Sequence, residues 1–275
     1  MKHPLNPGLY IVATPIGNLG DITLRAIETL RGVDAIACED TRVTGRLLQH
    51  LEIKQRMIRY DDHADERARE GLLAMMAEGP VALVSDAGTP LVSDPGYRLV
   101  KDARDRGIAV TSLPGPSAVI VGITLSGLPS DRFMFAGFLP GKDKARGDVL
   151  AELAGVPGTL VFYDTAPRLL DSLAAIAREL PGREVAVARE LTKMFEECHA
   201  GTPEALIAHY TNHPPRGEIV LMIGPPVAQQ MTLADAEDML RAELVHAKAS
   251  QAAGSVAKAT GLDRKALYAM ALSLK

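Results

Sequence analysis

Short apolar runs alternate with amphipathic segments over most of the chain, which is the pattern of an α/β fold built from βαβ units. The apolar runs predict strands over residues 9–13, 35–38, 57–60, 81–85, 108–112, 133–137, 159–163, 184–189, 194–200 and 218–223. Helical spacing predicts helices over residues 22–32, 45–51, 66–77, 97–106, 117–126, 168–180 and 204–210. Asp21 has the side chain of a good N-cap for the first of these helices.

Two breaks in this pattern divide the chain. Strand follows strand directly at residues 184–200, so we predict a hairpin and a mixed sheet in the second half. After Gly224 the sequence indicates helices only, with segments 255–260 and 265–272 separated at Gly261. We therefore predict two α/β domains, at residues 1–115 and 116–226, and a small helix-turn-helix-like appendage at residues 227–275.

Composition narrows the class of protein. The 275 residues are 47% hydrophobic, enough for two ordinary cores, and the net charge of -4 argues against a protein held to nucleic acid by bulk charge. A local basic patch stays possible. Cys38 and Cys198 are isolated, so we predict no disulfide framework and no metal site. The start of the chain lacks a signal-peptide layout and no apolar run is long enough to span a bilayer, so we expect a soluble cytoplasmic protein.

Three loops rich in proline and glycine, at residues 14–21, 85–96 and 113–117, follow predicted parallel strands. Ligands bind at the carboxyl ends of such strands, so we predict that the three loops line one cleft. Each loop taken alone is also compatible with ordinary turn chemistry. The glycine spacing at Gly17 and Gly20 is not that of a dinucleotide site, and no Walker A loop is present. A ligand that carries adenosine without phosphates fits better.

Several motifs resemble the tetrapyrrole methylase superfamily and, within it, the 16S rRNA cytidine 2′-O-methyltransferases, which modify the decoding region of the small ribosomal subunit. The matching strings are Leu9-Tyr10-Ile11-Val12-Ala13-Thr14-Pro15-Ile16-Gly17-Asn18-Leu19, Glu39-Asp40-Thr41-Arg42, Ser85-Asp86-Ala87-Gly88-Thr89-Pro90, Asp94-Pro95-Gly96, Leu113-Pro114-Gly115-Pro116-Ser117-Ala118, Gly127-Leu128-Pro129-Ser130-Asp131-Arg132-Phe133, Ala188-Arg189-Glu190-Leu191-Thr192-Lys193 and Arg216-Gly217-Glu218. Together they cover nearly the whole chain.

The resemblance implies S-adenosylmethionine (SAM) bound between two α/β domains, a homodimer, and 16S rRNA in the small ribosomal subunit as partner. By position, the residues expected to contact SAM are Pro15, Ile16, Gly17, Asn18, Leu19, Asp86, Ala87, Gly88, Thr89, Pro90, Ser117, Ala118, Tyr163 and Glu218. One departure stands out: Asp164 and Pro167 occupy positions where the family usually has Glu and His, whereas Arg168 is retained. A catalytic role for the family's histidine is therefore not expected here.

A ribose hydroxyl is a poor nucleophile while protonated, so a general base is a reasonable requirement. The candidates are Asp86, Asp94, Glu39, Asp40 and His63, and the sequence does not choose between them. Asp86 could instead orient its loop or SAM, and a histidine beside two aspartates is commonly just solvated.

Candidate RNA contacts are basic residues near the matched motifs and in the basic tail. They are Arg42, Lys193, Arg216, Lys258, Arg264 and Lys265. The polar segment 141–146 predicts a loop that either contacts RNA or is a solvated connector. The tail after His246 has five basic residues and one acidic residue, which favours RNA contact over a solubilising cap.

Two rival functions share these features. A SAM methyltransferase acting on a small acidic molecule such as a tetrapyrrole precursor would use the same cofactor loops. A non-catalytic RNA-binding assembly factor would use the basic tail but would have no need for the loops.

Overall fold

The computed structural model describes residues 5–61, 66–226, 233 and 235–274, so the base candidate His63 lies outside the described residues. The chain forms two compact units, Met1–Pro226 and Val227–Lys275. The first unit contains both sheets, and the predicted division of its residues at 115 stays a prediction, as do the other domain limits.

The first sheet has five parallel strands in the order β3-β2-β4-β1-β5. The strands are β1 (Gly8–Val12), β2 (Ala35–Cys38), β3 (Met57–Arg59), β4 (Pro80–Val84) and β5 (Val110–Leu113). Helices α1 (Leu24–Gly32), α2 (Thr41–His50), α3 (Glu66–Glu78) and α4 (Tyr97–Asp105) connect them. Every residue of β2 is buried, as expected for a strand with helices on both faces, and this is why the run is apolar throughout.

The second sheet is mixed, with the order β6-β7-β10-β8-β9. Its strands are β6 (Phe133–Phe138), β7 (Thr159–Thr165), β8 (Val185–Arg189), β9 (Glu197–Gly201) and β10 (Glu218–Ile223). The helices of this half are α5 (Ala118–Leu125), α6 (Asp143–Glu152), α7 (Leu169–Glu179) and α8 (Pro203–Asn212). Strands β8 and β9 pair antiparallel, which confirms the predicted hairpin.

Two predicted helix starts were wrong. The side chain of Thr23, not Asp21, caps α1 by accepting from the Ala26 amide, because residues 19–21 form a separate 3-10 turn. Helix α2 begins at Thr41 rather than Gly45, since the Asp40 carboxylate caps it through the Arg42 amide. This second correction places residues 39–42 at a helix start on the edge of the sheet.

The segment predicted as a loop at residues 141–146 is largely helical, since α6 begins at Asp143. Arg146 is only 1% exposed, and its guanidinium donates to the carbonyl oxygens of Pro140 and Gly141 at 3.2 and 2.9 Å. Arg146 is therefore a buried structural residue, whereas residues 141–144 are exposed to solvent.

The second unit consists of helices α9 (Asp235–Leu244), α10 (Ala249–Thr260) and α11 (Arg264–Ser273). Gly261 ends α10 in the left-handed conformation at φ 73°, and Asp263 caps α11. Small apolar residues of the three helices, among them Ala252, Ala253 and Leu267, form a core of their own. Among the described residues, none of the helices combines the length and apolarity that crossing a membrane would require.

Candidate cofactor and catalytic site

The three proline- and glycine-rich loops lie side by side because the strands before them are neighbours. Strands β4, β1 and β5 are consecutive in the parallel sheet, so the loops after them meet at its carboxyl edge. This is the placement that the sequence predicts for the walls of a ligand crevice.

Hydrogen bonds join the loops to one another. The Thr14 and Gly88 backbones exchange two bonds, of 2.9 and 3.0 Å, and the Thr89 hydroxyl donates to the Pro116 carbonyl oxygen at 3.0 Å. Gly88 has φ 79°, a conformation that favours glycine, and a Cβ there would lie 3.3 Å from Ile16. The loops therefore form one connected wall.

This wall encloses a cavity of about 410 Å³ together with residues of the second half of the same unit. Its volume is within the range of small-molecule sites. The lining residues are Ile16, Glu39, Asp86, Ala87, Gly88, Thr89, Val92, Ser93, Asp94, Ser117, Ala118, Phe138, Tyr163, Asp164, Thr165, Leu191, Glu218, Ile219 and Val220.

The cavity brings together many of the residues that the sequence predicts for SAM. Those in its wall are Ile16, Asp86, Ala87, Gly88, Thr89, Ser117, Ala118, Tyr163 and Glu218, whereas Pro15, Gly17, Asn18, Leu19 and Pro90 are not in the wall. The Asn18 side chain accepts from the Gly20 amide and so shapes the loop. Gly17 packs under Lys193, because a Cβ there would lie 2.5 Å from Lys193 Cγ.

Sequence reasoning missed most of the wall contributed by the second half. Phe138, Asp164, Thr165, Leu191, Ile219 and Val220 of the second half line the cavity, and Val92 and Ser93 of the predicted second loop line it as well. Residues 219 and 220 belong to a continuously apolar strand, so nothing in the local sequence separates cavity residues from core residues. Only the antiparallel pairing of β10 with β7 brings them beside Tyr163.

The charged side chains that line the cavity are all acidic. Among the described residues, its wall contains the carboxyl groups of Glu39, Asp86, Asp94, Asp164 and Glu218 and no lysine or arginine. Asp164 and Glu218 form ion pairs with Arg168 and Lys193, which lie outside the wall, so the net negative charge comes from Glu39, Asp86 and Asp94. This charge disfavours anionic ligands and stabilises a cation.

Burial and mutual repulsion perturb several of these groups. Desolvation, with the nearby charges of Glu39 and Asp86, raises the pKa of Asp94 to about 6, although a hydrogen bond with the Ser85 side chain acts in the opposite direction. Desolvation and the charge of Asp86 raise the pKa of Glu39 as well. The pKa of the Tyr163 hydroxyl rises to about 12, because the half-buried residue is partly desolvated and Asp94 and Glu218 lie near it.

Asp40 and Asp86 are held by hydrogen bonds. Arg42 donates through Nε and Nη2 to the Asp40 carboxylate, and these bonds keep the pKa of that carboxyl well below its usual range. Asp86 Oδ1 accepts from the Asp40 amide at 3.2 Å, so the second loop is tied to the start of α2.

The positions that depart from the family pattern have structural partners. Asp164 has a fully buried side chain, and its Oδ1 accepts from the Thr165 amide at 2.8 Å and lies 3.6 Å from Arg168 Nε. Pro167 lies in a 3-10 turn, Ala166–Arg168, at the start of α7. Arg168 also donates to the Leu139 carbonyl oxygen, so this group anchors the end of β7.

The predicted RNA contacts lie in different surroundings. The Arg42 side chain is 85% exposed, whereas the Lys193 ammonium lies 2.9 Å from both Glu190 and Glu218. Arg216 is exposed on the connection before β10. The remaining candidates are exposed on the helices of the second unit and are Lys258, Arg264 and Lys265.

Comparison with known proteins identifies the scaffold. The family of Tetrapyrrole (Corrin/Porphyrin) Methylases matches residues 8–207, and the RsmI C-terminal HTH domain matches residues 230–275. The second match bears out the predicted helix-turn-helix appendage.

Two curated relatives match almost end to end, and both are named Ribosomal RNA small subunit methyltransferase I. The protein from Erythrobacter litoralis is 66% identical, with 99% of this chain and 97% of the relative covered. The protein from Mesorhizobium japonicum is 51% identical, with 99% and 94% covered.

Solved structures agree on the fold. Diphthine synthase has a TM-score of 0.63 at 14% identity and covers 79% of this chain and 89% of its own. Uroporphyrin-III-C-methyltransferase from Thermus thermophilus has a TM-score of 0.54 at 20% identity and covers 80% and 94%. At these identities the likeness concerns the fold alone.

Enzymes of this family and the curated relatives use SAM as methyl donor. The matches cover both units, and the predicted fold class, an α/β protein of the tetrapyrrole methylase type with a helical appendage, is confirmed. The chain therefore belongs to the tetrapyrrole methylase family and, within it, to the ribosomal RNA small subunit methyltransferases I.

Proposed function

We propose that this protein transfers a methyl group from SAM to the 2′-hydroxyl of a cytidine ribose in the decoding region of 16S rRNA in the small ribosomal subunit. The observation that carries the proposal is the cavity at the carboxyl edge of the parallel sheet, whose wall contains five carboxyl groups and no basic side chain among the described residues. SAM carries a sulfonium and an ammonium group, so this charge is complementary to it.

The residues present fit that cofactor. Ile16, Ala87, Ala118, Leu191 and Val220 give the cavity apolar walls, and the connected loops offer backbone groups for an adenosine. When bound, SAM supplies an electrophilic methyl group. Pro15, Gly17, Asn18, Leu19 and Pro90, outside the wall, support the loop shapes in this proposal.

Asp94 is the base candidate that its surroundings favour. Its pKa of about 6 leaves the carboxylate ionised at neutral pH. Because this pKa is only slightly below neutral pH, the carboxylate can accept a proton as the new O–C bond forms. Asp40 is occupied by Arg42, and Asp86 is bound to the Asp40 amide. Asp94 therefore takes the hydroxyl proton in this proposal, and the fixed loops position the acceptor for in-line attack.

Binding of RNA is assigned to surfaces outside the cavity. Arg42 and Arg216 are exposed, and the second unit presents Lys258, Arg264 and Lys265 on its helices. Lys193 is already paired with two carboxylates, so it has the least free charge of the predicted contacts. The resemblance also leads us to propose that the protein is a homodimer and lies in the cytoplasm. Analytical ultracentrifugation of the purified protein tests the oligomeric state.

The rivals explain less. An acidic tetrapyrrole precursor would meet the carboxylates of the cavity wall, and like charges repel. A non-catalytic assembly factor would not need a preformed cavity for a cationic ligand. The full-length relatives are also named as rRNA methyltransferases.

The test is methyl transfer from labelled SAM to small ribosomal subunits that lack the modification. We expect label in 16S rRNA, and none when the target ribose is 2′-deoxy. Free 16S rRNA and a porphyrin precursor are run in parallel. Binding of SAM without transfer to any RNA contradicts the proposal, and transfer to the porphyrin precursor supports the rival enzyme.

A further inference from the structure

A second depression adjoins the cavity and shares part of its wall. It has a volume of about 480 Å³ and is lined by Glu39, Asp40, Thr41, Arg42, Arg59 and Asp86. Glu39 and Asp86 also line the cavity assigned to SAM. An acceptor whose reacting oxygen lies at the shared wall would have the rest of its structure in this depression.

The sheet register builds this depression. Cys38 at the end of β2 pairs with Arg59 at the end of β3, so residues 39–42 and Arg59 project from the same edge of the sheet. Asp40 caps α2 by accepting from the Arg42 amide and also accepts from the Nε and Nη2 atoms of Arg42, which fixes the chain there. The bonds use Nε and Nη2 of Arg42 and leave Nη1 available.

The depression is lined by both hydrogen-bond donors and acceptors, and its excess of carboxylates does not suit a phosphate. Three carboxylates face two guanidinium groups, and Arg59 Nη2 lies 3.7 Å from Asp61, beyond hydrogen-bond distance. Within the described part of the chain, the Glu39 carboxylate has no hydrogen-bond or ion-pair partner. Glu39 is half-buried, so its carboxylate is an acceptor that a bound ligand can reach and satisfy.

We propose that this depression binds the nucleobase of the acceptor nucleotide, with Glu39 accepting from the exocyclic amino group of cytosine and a guanidinium donating to N3. The inference rests on the proposed function and deepens it. A carboxylate that accepts from cytosine N4 is a known mode of base recognition. Uracil has the opposite pattern at both positions, since O4 replaces the amino group and N3 carries a proton. The base leaves its stack to enter, as in other enzymes that modify nucleotides.

The experiment compares small subunits with C or U at the target nucleotide, reconstituted from unmodified rRNA and assayed with the full-length protein. We expect the wild type to prefer C in kcat/KM by about 5- to 100-fold, the discrimination of one good polar pair. Glu39→Gln should bring the ratio near one, because an amide can accept from N4 or donate to O4. Arg59→Met should lower the ratio severalfold. Arg104→Met, an exposed arginine on α4, is the matched control and should leave it unchanged.

Each variant is also checked for SAM binding by calorimetry and for thermal unfolding. Reduced discrimination with unchanged SAM affinity and Tm supports the subsite. An unchanged C/U ratio in both variants overturns it. An equal fall on C and U substrates overturns it as well, because that result assigns the residues to phosphate binding or to proton transfer. If the wild type methylates neither substrate, the proposed function itself has failed, and that outcome is distinct from the others.

Discussion

Replacing Asp94 by asparagine tests the electrostatics of the site in two independent ways. The side chain keeps its size but loses its charge. Because Asp94 is half-buried beside Glu39 and Asp86, its charged form is unfavourable in the folded protein, and its pKa rises from the ordinary 3.8 to about 6. The variant should therefore be more stable and less active than the wild type.

The magnitude of the stability gain follows from linkage. A rise from 3.8 to about 6 corresponds to about 3 kcal/mol, and partial exposure reduces this to about 1–2 kcal/mol. A carboxyl with a raised folded pKa stabilises the fold fully below pH 3.8 and loses that contribution as pH rises through 6. The asparagine variant should gain about 2–5 °C in Tm at pH 8, and the gain should shrink as the pH falls towards 5.

The kinetic effect has the opposite sign. In the wild type, kcat should rise with pH through about 6 as Asp94 ionises. In the variant, kcat should no longer rise in this pH range and should be at least about 100-fold lower. Calorimetric melts from pH 5 to 8 and single-turnover methyl transfer measure both effects. A variant that retains kcat within twofold refutes the assignment of the base. A variant with an unchanged Tm at pH 8 refutes the argument from desolvation.

Three further changes probe other parts of the molecule. Gly17→Ala puts a Cβ 2.5 Å from Lys193 Cγ, so calorimetry should show SAM affinity about tenfold weaker, and equal affinity would mean that the loop yields freely. A chain ending at Pro226 keeps the first compact unit, so we expect unchanged SAM affinity but a KM for small subunits at least about tenfold higher; an unchanged KM would contradict RNA binding by the helical unit. Arg146→Met leaves two carbonyl oxygens without their donor, and urea unfolding should show a loss of about 2–4 kcal/mol, whereas a loss below about 0.5 kcal/mol would contradict this role.

Strand positions were predictable because their signal is local. The apolar runs at residues 35–38 and 218–223 coincide with β2 and β10 as the structure has them. Helix starts were less accurate, because Asp21, Thr23 and Asp40 are all good capping residues and the choice depends on where the preceding loop ends. Helix α6 was missed because Lys142, Gly141 and Gly147 give its start the composition of a loop.

The candidate site divides in the same way. Its first-half wall follows a rule that depends only on strand order and direction, so the loops at residues 14–21, 85–96 and 113–117 could be placed together from the sequence. The second-half wall could not, because Ile219 and Val220 have the same apolar character as core residues. Pairing of β10 with β7 places them beside Asp164 and Tyr163 at the cavity wall.

The sequence alone therefore determined the α/β alternation, the helical end of the chain and the three loops, since each depends on periodicity, turn residues or motif spacing within a short segment. Only the tertiary structure decided which carboxylates are free to act. The sequence offers four acidic side chains without distinguishing them, at Asp40, Asp86, Asp94 and Glu39. In the structure Arg42 pairs with Asp40, and the Asp40 amide donates to Asp86. Burial raises the pKa of Asp94 and of Glu39. Ionisation and hydrogen bonding depend on neighbours distant in the chain, and the fold alone brings those neighbours into contact.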